Sequence, residues 1–253
     1  METSDHILLL GGTYEARLIA EKLTTSLPGA QLTVSFAGVV KDLPELGVPT
    51  RVGGFGGTNG LADFLKSEKV TYVVDATHPF ASQISGHAAM VCTALQVPLI
   101  RLERPAWDTV DGDDWVRVAS IEAAERALPV ASRVFIALGR KEISKFYGRD
   151  DIYGLARMIE PPEHPLPAHW DLVLARPAQS ADEEEALFRA HGISHVVSKN
   201  SGGERAYAKI EAARRLHLPV IMIDRPDLPK TETSANVSDL LEKLKASSSQ
   251  AGS

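Results

Sequence analysis

Two polar turns hold the residues best equipped for chemistry. Thr77-His78-Pro79-Phe80 follows the apolar run Tyr72 to Val74, and Lys199-Asn200-Ser201-Gly202-Gly203 follows His195 to Val197. His78 can donate a proton, orient a carboxylate or cap the helix that comes next. The second turn combines a cation, amide and hydroxyl donors and glycine amides, a composition suited to a carboxylate or phosphate. His78 and Lys199 are therefore the candidate proton donors, with solvent as a third source. Arg140, Lys141 and Arg176 stand after other apolar runs, and with Lys199 they form a set of cations able to hold a polyanionic substrate. Arg140 and Arg176 are read as ending neighbouring strands. Ordinary surface ion pairs would also account for these cations.

Glycine dominates the corresponding positions of the first half. Gly11-Gly12-Thr13-Tyr14-Glu15-Ala16 follows the run His6 to Leu10 and can be laid on G-x-G-x-x-A with Thr13 in the place of the second glycine. Amides at that helix start would face a pyrophosphate, and the Thr13 hydroxyl could add a hydrogen bond. A tight strand-to-helix turn needs glycine with or without a ligand. Gly53-Gly54-Phe55-Gly56-Gly57 is a second such place, explained either by close approach of a ligand or by packing against a neighbouring segment. An acid at the end of the second strand binds the ribose 2′-hydroxyl of NAD, and its absence beside a cation admits the 2′-phosphate of NADP. The chain has Ser35-Phe36-Ala37-Gly38 there, with Lys41 nearby, which favours NADP. Ala76, Thr77, His78 and Pro79 would lie toward the nicotinamide end.

These turns need a scaffold, and the chain describes one twice. Residues 72–105 and 195–226 share a pattern: a strand, a polar turn, a helix, then a strand opened by proline and closed by acid-Arg-Pro, Glu103-Arg104-Pro105 in one and Asp224-Arg225-Pro226 in the other. The expected fold is α/β, two Rossmann-like parallel-sheet domains related by an internal repeat. Ligands of such sheets bind beyond the carboxyl ends of the strands, where all the turns above fall. Strands are expected at residues 7–10, 31–37, 51–52, 72–74 and from 98, then near 115–118, 133–138, 153–159, 171–175, 195–198 and 219–223. Helices are expected from 61 to 67 and from 80 to 95. The pattern lapses between Pro105 and Asp114, so we read residues 1–110 as the NADP-binding domain, 111–246 as the second domain and 247–253 as a disordered tail.

Composition narrows the function. A net charge of −6 argues against nonspecific nucleic-acid binding, which needs a basic surface. No run approaches the roughly 20 apolar residues that cross a bilayer, and the acidic start lacks the basic flank of a signal peptide, so a cytoplasmic protein is expected. The lone Cys92 reads as helix packing rather than as a nucleophile, and the eight histidines show no paired spacing for a metal.

With these residues assembled, the chain resembles the precorrin-6A reductase family of the cobalamin pathway over about residues 6–244. The matching segments are Leu-Gly-Gly-Thr-Tyr-Glu-Ala, Gly-Gly-Phe-Gly-Gly, Val-Asp-Ala-Thr-His-Pro-Phe-Ala, Val-Ser-Lys-Asn-Ser-Gly-Gly and Ala-Lys-Ile-Glu-Ala-Ala-Arg. The resemblance implies NADPH-dependent reduction of one carbon–carbon double bond in ring D of the macrocycle, giving its dihydro form, and two Rossmann-like domains that exchange a strand. Its rim of acetate and propionate groups suits the cations of the second half. The chain departs from the family in two places. Val39 stands where an arginine is common after Ser-x-Ala-Gly, leaving Lys41 or Arg51 for the 2′-phosphate, and Arg176-Pro177-Ala178 replaces Arg-Gly-Pro-Phe. Competing functions are a noncatalytic nucleotide or tetrapyrrole carrier, and an NADP-dependent reductase of another polycarboxylate.

Overall fold

The computed structural model describes residues 5–36 and 47–250, with side chains to residue 246. Short runs of Leu, Ile and Val, buried on both faces, give parallel strands rather than half-exposed ones. In the first sheet these are β1 (His6–Leu10), β2 (Gln31–Phe36), β4 (Tyr72–Asp75) and β5 (Leu99–Leu102), with the short, more exposed β3 (Thr50–Val52) at the edge. They alternate with helices α1 (Tyr14–Ser26), α2 (Gly57–Ser67) and α3 (Ser82–Leu95). The second sheet uses β6 (Trp115–Val118), β7 (Arg133–Ala137), β8 (Tyr153–Met158), β9 (Asp171–Leu174), β10 (His195–Lys199) and β11 (Val220–Ile223), with α4 (Ile121–Ala127), α5 (Ala181–Ala190) and α6 (Ala208–Arg215). A last strand, β12 (Glu232–Ser234), precedes α7 (Val237–Gln250).

The sheets have the orders β12-β5-β4-β1-β2-β3 and β6-β11-β10-β7-β8-β9, with every pairing parallel. Both run in the same repeated order, and each takes its first edge strand from the other repeat: β6, which follows β5 in the chain, pairs with β11, and β12, which follows β11, pairs with β5. The compact units accordingly comprise residues 1–104 with 227–253, and residues 105–226. The sequence-based boundary near 110 is close, but its assignment of everything up to 246 to the second unit differs from this division. The reason is that β12, Glu-Thr-Ser, has no apolar run to announce it, while α7 buries Leu240, Leu241 and Leu244 in the same core as Ile7, Leu9 and Ile19.

Two further expectations shift. α2 begins at Gly57 rather than at 61, because the left-handed Gly56 (φ 81°) is its N-cap. α7 continues to Gln250, into the stretch expected to be disordered, since a helix already nucleated on a buried face gains a hydrogen bond with each added residue. Cys92 is buried in α3, and burial followed by the Asp75 carboxylate pushes its thiol up to about 12, which fits packing rather than chemistry. Among the described residues no helix is long and apolar enough to cross a membrane, and no cluster of side chains could hold a metal ion.

Candidate functional site

At the carboxyl edge of the first sheet, the ends of four strands are tied together. The Gly11 amide donates to the Ser35 carbonyl (2.8 Å), the Ala76 amide to the Leu10 carbonyl (2.9 Å) and the Gly53 amide to the Phe36 carbonyl (3.0 Å). Gly12 has φ 125°, a conformation that side chains rarely adopt, and an added Cβ there would meet nothing within 4 Å. Thr13 caps α1: its hydroxyl accepts from the Ala16 amide (3.1 Å) and donates to the Ala76 carbonyl (2.8 Å). Its one proton goes to the Ala76 carbonyl in this structure, so the hydroxyl joins the ends of β1 and β4. Ala16 and Ala76 are buried beneath this turn. Glu15 pairs with Arg104 (2.5 Å), both mostly shielded.

The glycine-rich loop after β3 is open. Gly53, Gly56 and Gly57 have φ of 105°, 81° and 84°, and an added Cβ at any of them, or at Gly54, would meet nothing within 4 Å. Packing against a described neighbour is therefore not what excludes side chains from this loop. Backbone conformation explains three of the four, and Gly54 has no steric reason of its own. Arg51 underlies the loop, donating from Nη1 to the Ser35 hydroxyl (2.9 Å) and the Gly53 carbonyl (3.1 Å) and from Nη2 to the Gly54 carbonyl (3.0 Å). Its guanidinium lies 3.8 Å from the centre of the Phe55 ring, and burial lowers its pKa from the usual value. Ala37, Gly38 and Lys41 lie outside the described residues.

After β4, buried Asp75 directs the Thr-His-Pro-Phe turn. One carboxylate oxygen accepts from the Thr77 amide (3.1 Å) and hydroxyl (2.7 Å), and the other from Arg101 Nε (3.2 Å). The Thr77 hydroxyl is also 3.3 Å from that of Ser85. The Phe80 amide donates to His78 Nδ1 (3.3 Å), so in the neutral ring the proton resides on Nε2. Pro79 completes the turn.

The second sheet gathers its cations at the same edge, though in less uniform states. Lys199 Nζ sits 2.5 Å from both carboxylate oxygens of Glu142, and one of these also accepts from the Gly139 amide (3.2 Å). Arg140 pairs with Glu160 (3.2 Å) and Glu163 (3.8 Å). Arg140 and Arg176 do not end neighbouring strands: β8 lies between β7 and β9, and Glu160 just after it meets Arg140. Lys141 and Arg176 are exposed, without an ion-pair partner among the described residues.

Asn200 has a different duty from the one its composition suggests. Its Oδ1 accepts from the Trp107 amide (2.8 Å) and its Nδ2 donates to the Trp107 carbonyl (2.9 Å), while Trp107 Nε1 donates to the Gly203 carbonyl (2.9 Å). Gly202 (φ 65°) leaves no room for a Cβ, which would fall 2.2 Å from the Pro105 carbonyl oxygen. Buried Ser201 donates its amide to the Lys199 carbonyl (2.8 Å). Arg225 seals the turn from Nε to the Asn200 carbonyl (2.9 Å). Asn200, Gly202 and Gly203 thus anchor the segment around Trp107, leaving Lys199 as the charged member of the turn. The sequence reading missed Glu142 and Trp107; an acid three residues after Gly139 and a tryptophan in a stretch without period were the available signals.

Two parallel six-stranded sheets with a glycine-rich carboxyl edge on the first define an α/β protein of the kind whose ligands bind beyond the strand ends, and its residues are compatible with a dinucleotide there: Gly12 and Gly54 leave room, and no carboxylate meets Arg51 among the described residues. The family described as "Precorrin-6x reductase CbiJ/CobK" matches residues 6–245, and the chain belongs to that family. It is 43% identical to the precorrin-6A reductase of Rhodococcus erythropolis, covering 91% of this chain and 94% of the relative. It is 41% identical to that of Rhodobacter capsulatus, covering 93% and 94%. A solved structure titled "CobK precorrin-6A reductase" superposes with a TM-score of 0.89 at 40% identity, covering 96% of each chain.

Proposed function

We propose that this chain reduces precorrin-6A to its dihydro form, using NADPH, as a cytoplasmic step of cobalamin biosynthesis. The observation that carries the cofactor reading is the end of β2 and β3, where open glycines adjoin Arg51 and, among the described residues, no acid stands to receive a ribose 2′-hydroxyl. The names and near full-length similarity of the two relatives support the substrate, and because neither name mentions cobalt, the metal-free macrocycle is the one proposed.

When bound, the nicotinamide supplies a hydride to a carbon–carbon double bond. The chain's own residues bind, orient and manage a proton. Gly12 and the first amides of α1 receive the pyrophosphate. Asp75, locked to Arg101, holds Thr77 and so fixes the turn that carries His78. Lys141 and Arg176, the exposed cations, hold carboxylates of the macrocycle rim, and Arg140 joins them by exchanging Glu160 for substrate. His78 and Lys199 are the side chains able to deliver the proton, Lys199 drawing on its contact with Glu142.

The test is anaerobic incubation with precorrin-6A, following nucleotide oxidation and the pigment's visible spectrum, with NADH and the cobalt-bearing macrocycle in parallel. Oxidation of NADPH matched by a spectral change of the metal-free pigment is the expected result. Tight pigment binding with neither nucleotide oxidised would sink the reading in favour of a carrier.

A further inference from the structure

Arg51 lies at the position where α/β folds choose between the two nicotinamide dinucleotides, and it is held there in an unusual way. It faces Ser35 across the β2–β3 pairing. Both protons of Nη1 are spent, on the Ser35 hydroxyl and the Gly53 carbonyl, and one of Nη2 goes to the Gly54 carbonyl. All three acceptors are neutral. Phe55 lies 3.8 Å beneath the guanidinium and Phe64 5.3 Å away, so aromatic faces supply the remaining support. No carboxylate meets this cation among the described residues. A partly buried guanidinium braced by carbonyls and rings has its charge left for something else.

Its remaining donors identify what that is. Among the described residues nothing accepts from Nε–H or from the second Nη2–H, and these two nitrogens flank one edge of the guanidinium plane, the edge that meets two oxygens of a phosphate or carboxylate in parallel. The Ser35 hydroxyl accepts from Arg51 and keeps its own proton, a third donor beside the fork. The open Gly53 and Gly54 backbone, held by the same guanidinium, leaves space for the ligand to approach.

We propose that Arg51, with Ser35 beside it, is the specificity determinant that grips the 2′-phosphate of the nucleotide, taking the role that Val39 cannot fill. This rests on the NADPH reading above and names the residue behind it. Arg51 is fixed before the ligand arrives, because its bonds to Gly53, Gly54 and Ser35 set the guanidinium plane. Lysine in its place would keep the charge and lose both the fork and the brace.

The experiment measures dissociation constants of 2′,5′-ADP and 5′-AMP by calorimetry for the wild type, Arg51→Met and Arg51→Lys. The readout is the ratio of the two constants, which a disturbed loop that weakens both ligands alike leaves unchanged. Wild type is expected to prefer 2′,5′-ADP, and Arg51→Met to lose that preference by roughly 10- to 100-fold, the worth of a charge-assisted bidentate contact. Arg51→Lys should lose most of it. A preference that survives in Arg51→Met overturns this inference alone. A wild type with no preference overturns the NADPH reading and this inference with it.

Discussion

Asn200→Ala separates the anchoring of Trp107 from a role in gripping substrate. Asn200 is 1% exposed, and its amide satisfies both the N–H and the C=O of Trp107 at 2.8 and 2.9 Å. Alanine removes two hydrogen bonds and leaves two backbone groups buried without partners. Each such group costs about 1–3 kcal/mol, so the loss should be about 2–5 kcal/mol once partial solvation is allowed. With a slope of about 2 kcal/mol per molar urea, the midpoint should fall by roughly 1–2.5 M. The assay is built into the chain. All three tryptophans, Trp107, Trp115 and Trp170, belong to the second unit, so urea unfolding followed by tryptophan fluorescence reports on that unit. A midpoint unchanged within error, together with weakened pigment binding, would refute the argument and return Asn200 to the substrate. Asn200→Asp should also be destabilising, because a second carboxylate oxygen would then face the Trp107 carbonyl.

The other expectations concern separate features. Thr13→Val should cost about 1–2 kcal/mol in stability, through the lost cap and the orphaned Ala76 carbonyl, while Thr13→Ser retains both bonds; dinucleotide binding at low temperature should be nearly the same in both, and a large affinity loss in a stable Thr13→Val would show the hydroxyl to be a ligand after all. Lys209, buried in α6, has its pKa pulled down to about 7, by burial and then by Arg157, against the opposing pull of Glu184. From there to the ordinary lysine value of about 10.4 the unfolded chain holds a proton that the folded one has released, so stability should rise with pH by up to about 1.4 kcal/mol per unit. Urea melts at pH 7 and 9 should show that slope in the wild type and not in Lys209→Met; equal slopes would sink the assignment. Gly202→Ala should be strongly destabilising, as its Cβ would strike the Pro105 carbonyl and its φ is positive, and a melt like that of the wild type would contradict the geometry.

What could be read from sequence followed from period and punctuation. β1, β4, β7, β10 and β11 are apolar runs ended by a turn, and the structure has them where the runs stand. The glycines of the first edge were legible because a positive φ leaves a compositional mark, and Gly12, Gly53, Gly56 and Gly57 all have it. Side-chain partners leave no such mark. Nothing in the sequence tells that Lys199 meets Glu142, 57 positions away, or that Asn200 serves Trp107, 93 away. For the same reason the bonds of Asn200 to Trp107 were invisible in sequence, and Glu-Thr-Ser at β12 gave no strand signal, since an edge strand of three polar residues is recognisable only beside β5.

The reciprocal loan of edge strands has a consequence for how the protein is made. A ribosome finishes β5 at Leu102 and does not deliver its partner β12 until Glu232, after the whole second sheet has been synthesised. Throughout that interval the nascent first sheet has an unpaired edge, the kind of surface that recruits other strands. Neither half can be cut out as an independent product, since a fragment ending at the boundary would carry β5 bare and leave behind the helix that covers Ile7 and Ile19. The first sheet gains its last strand and covering helix only from the segment after Asp227, so removing that segment should damage the core around Ile7 and Ile19, more than two hundred residues earlier in the chain.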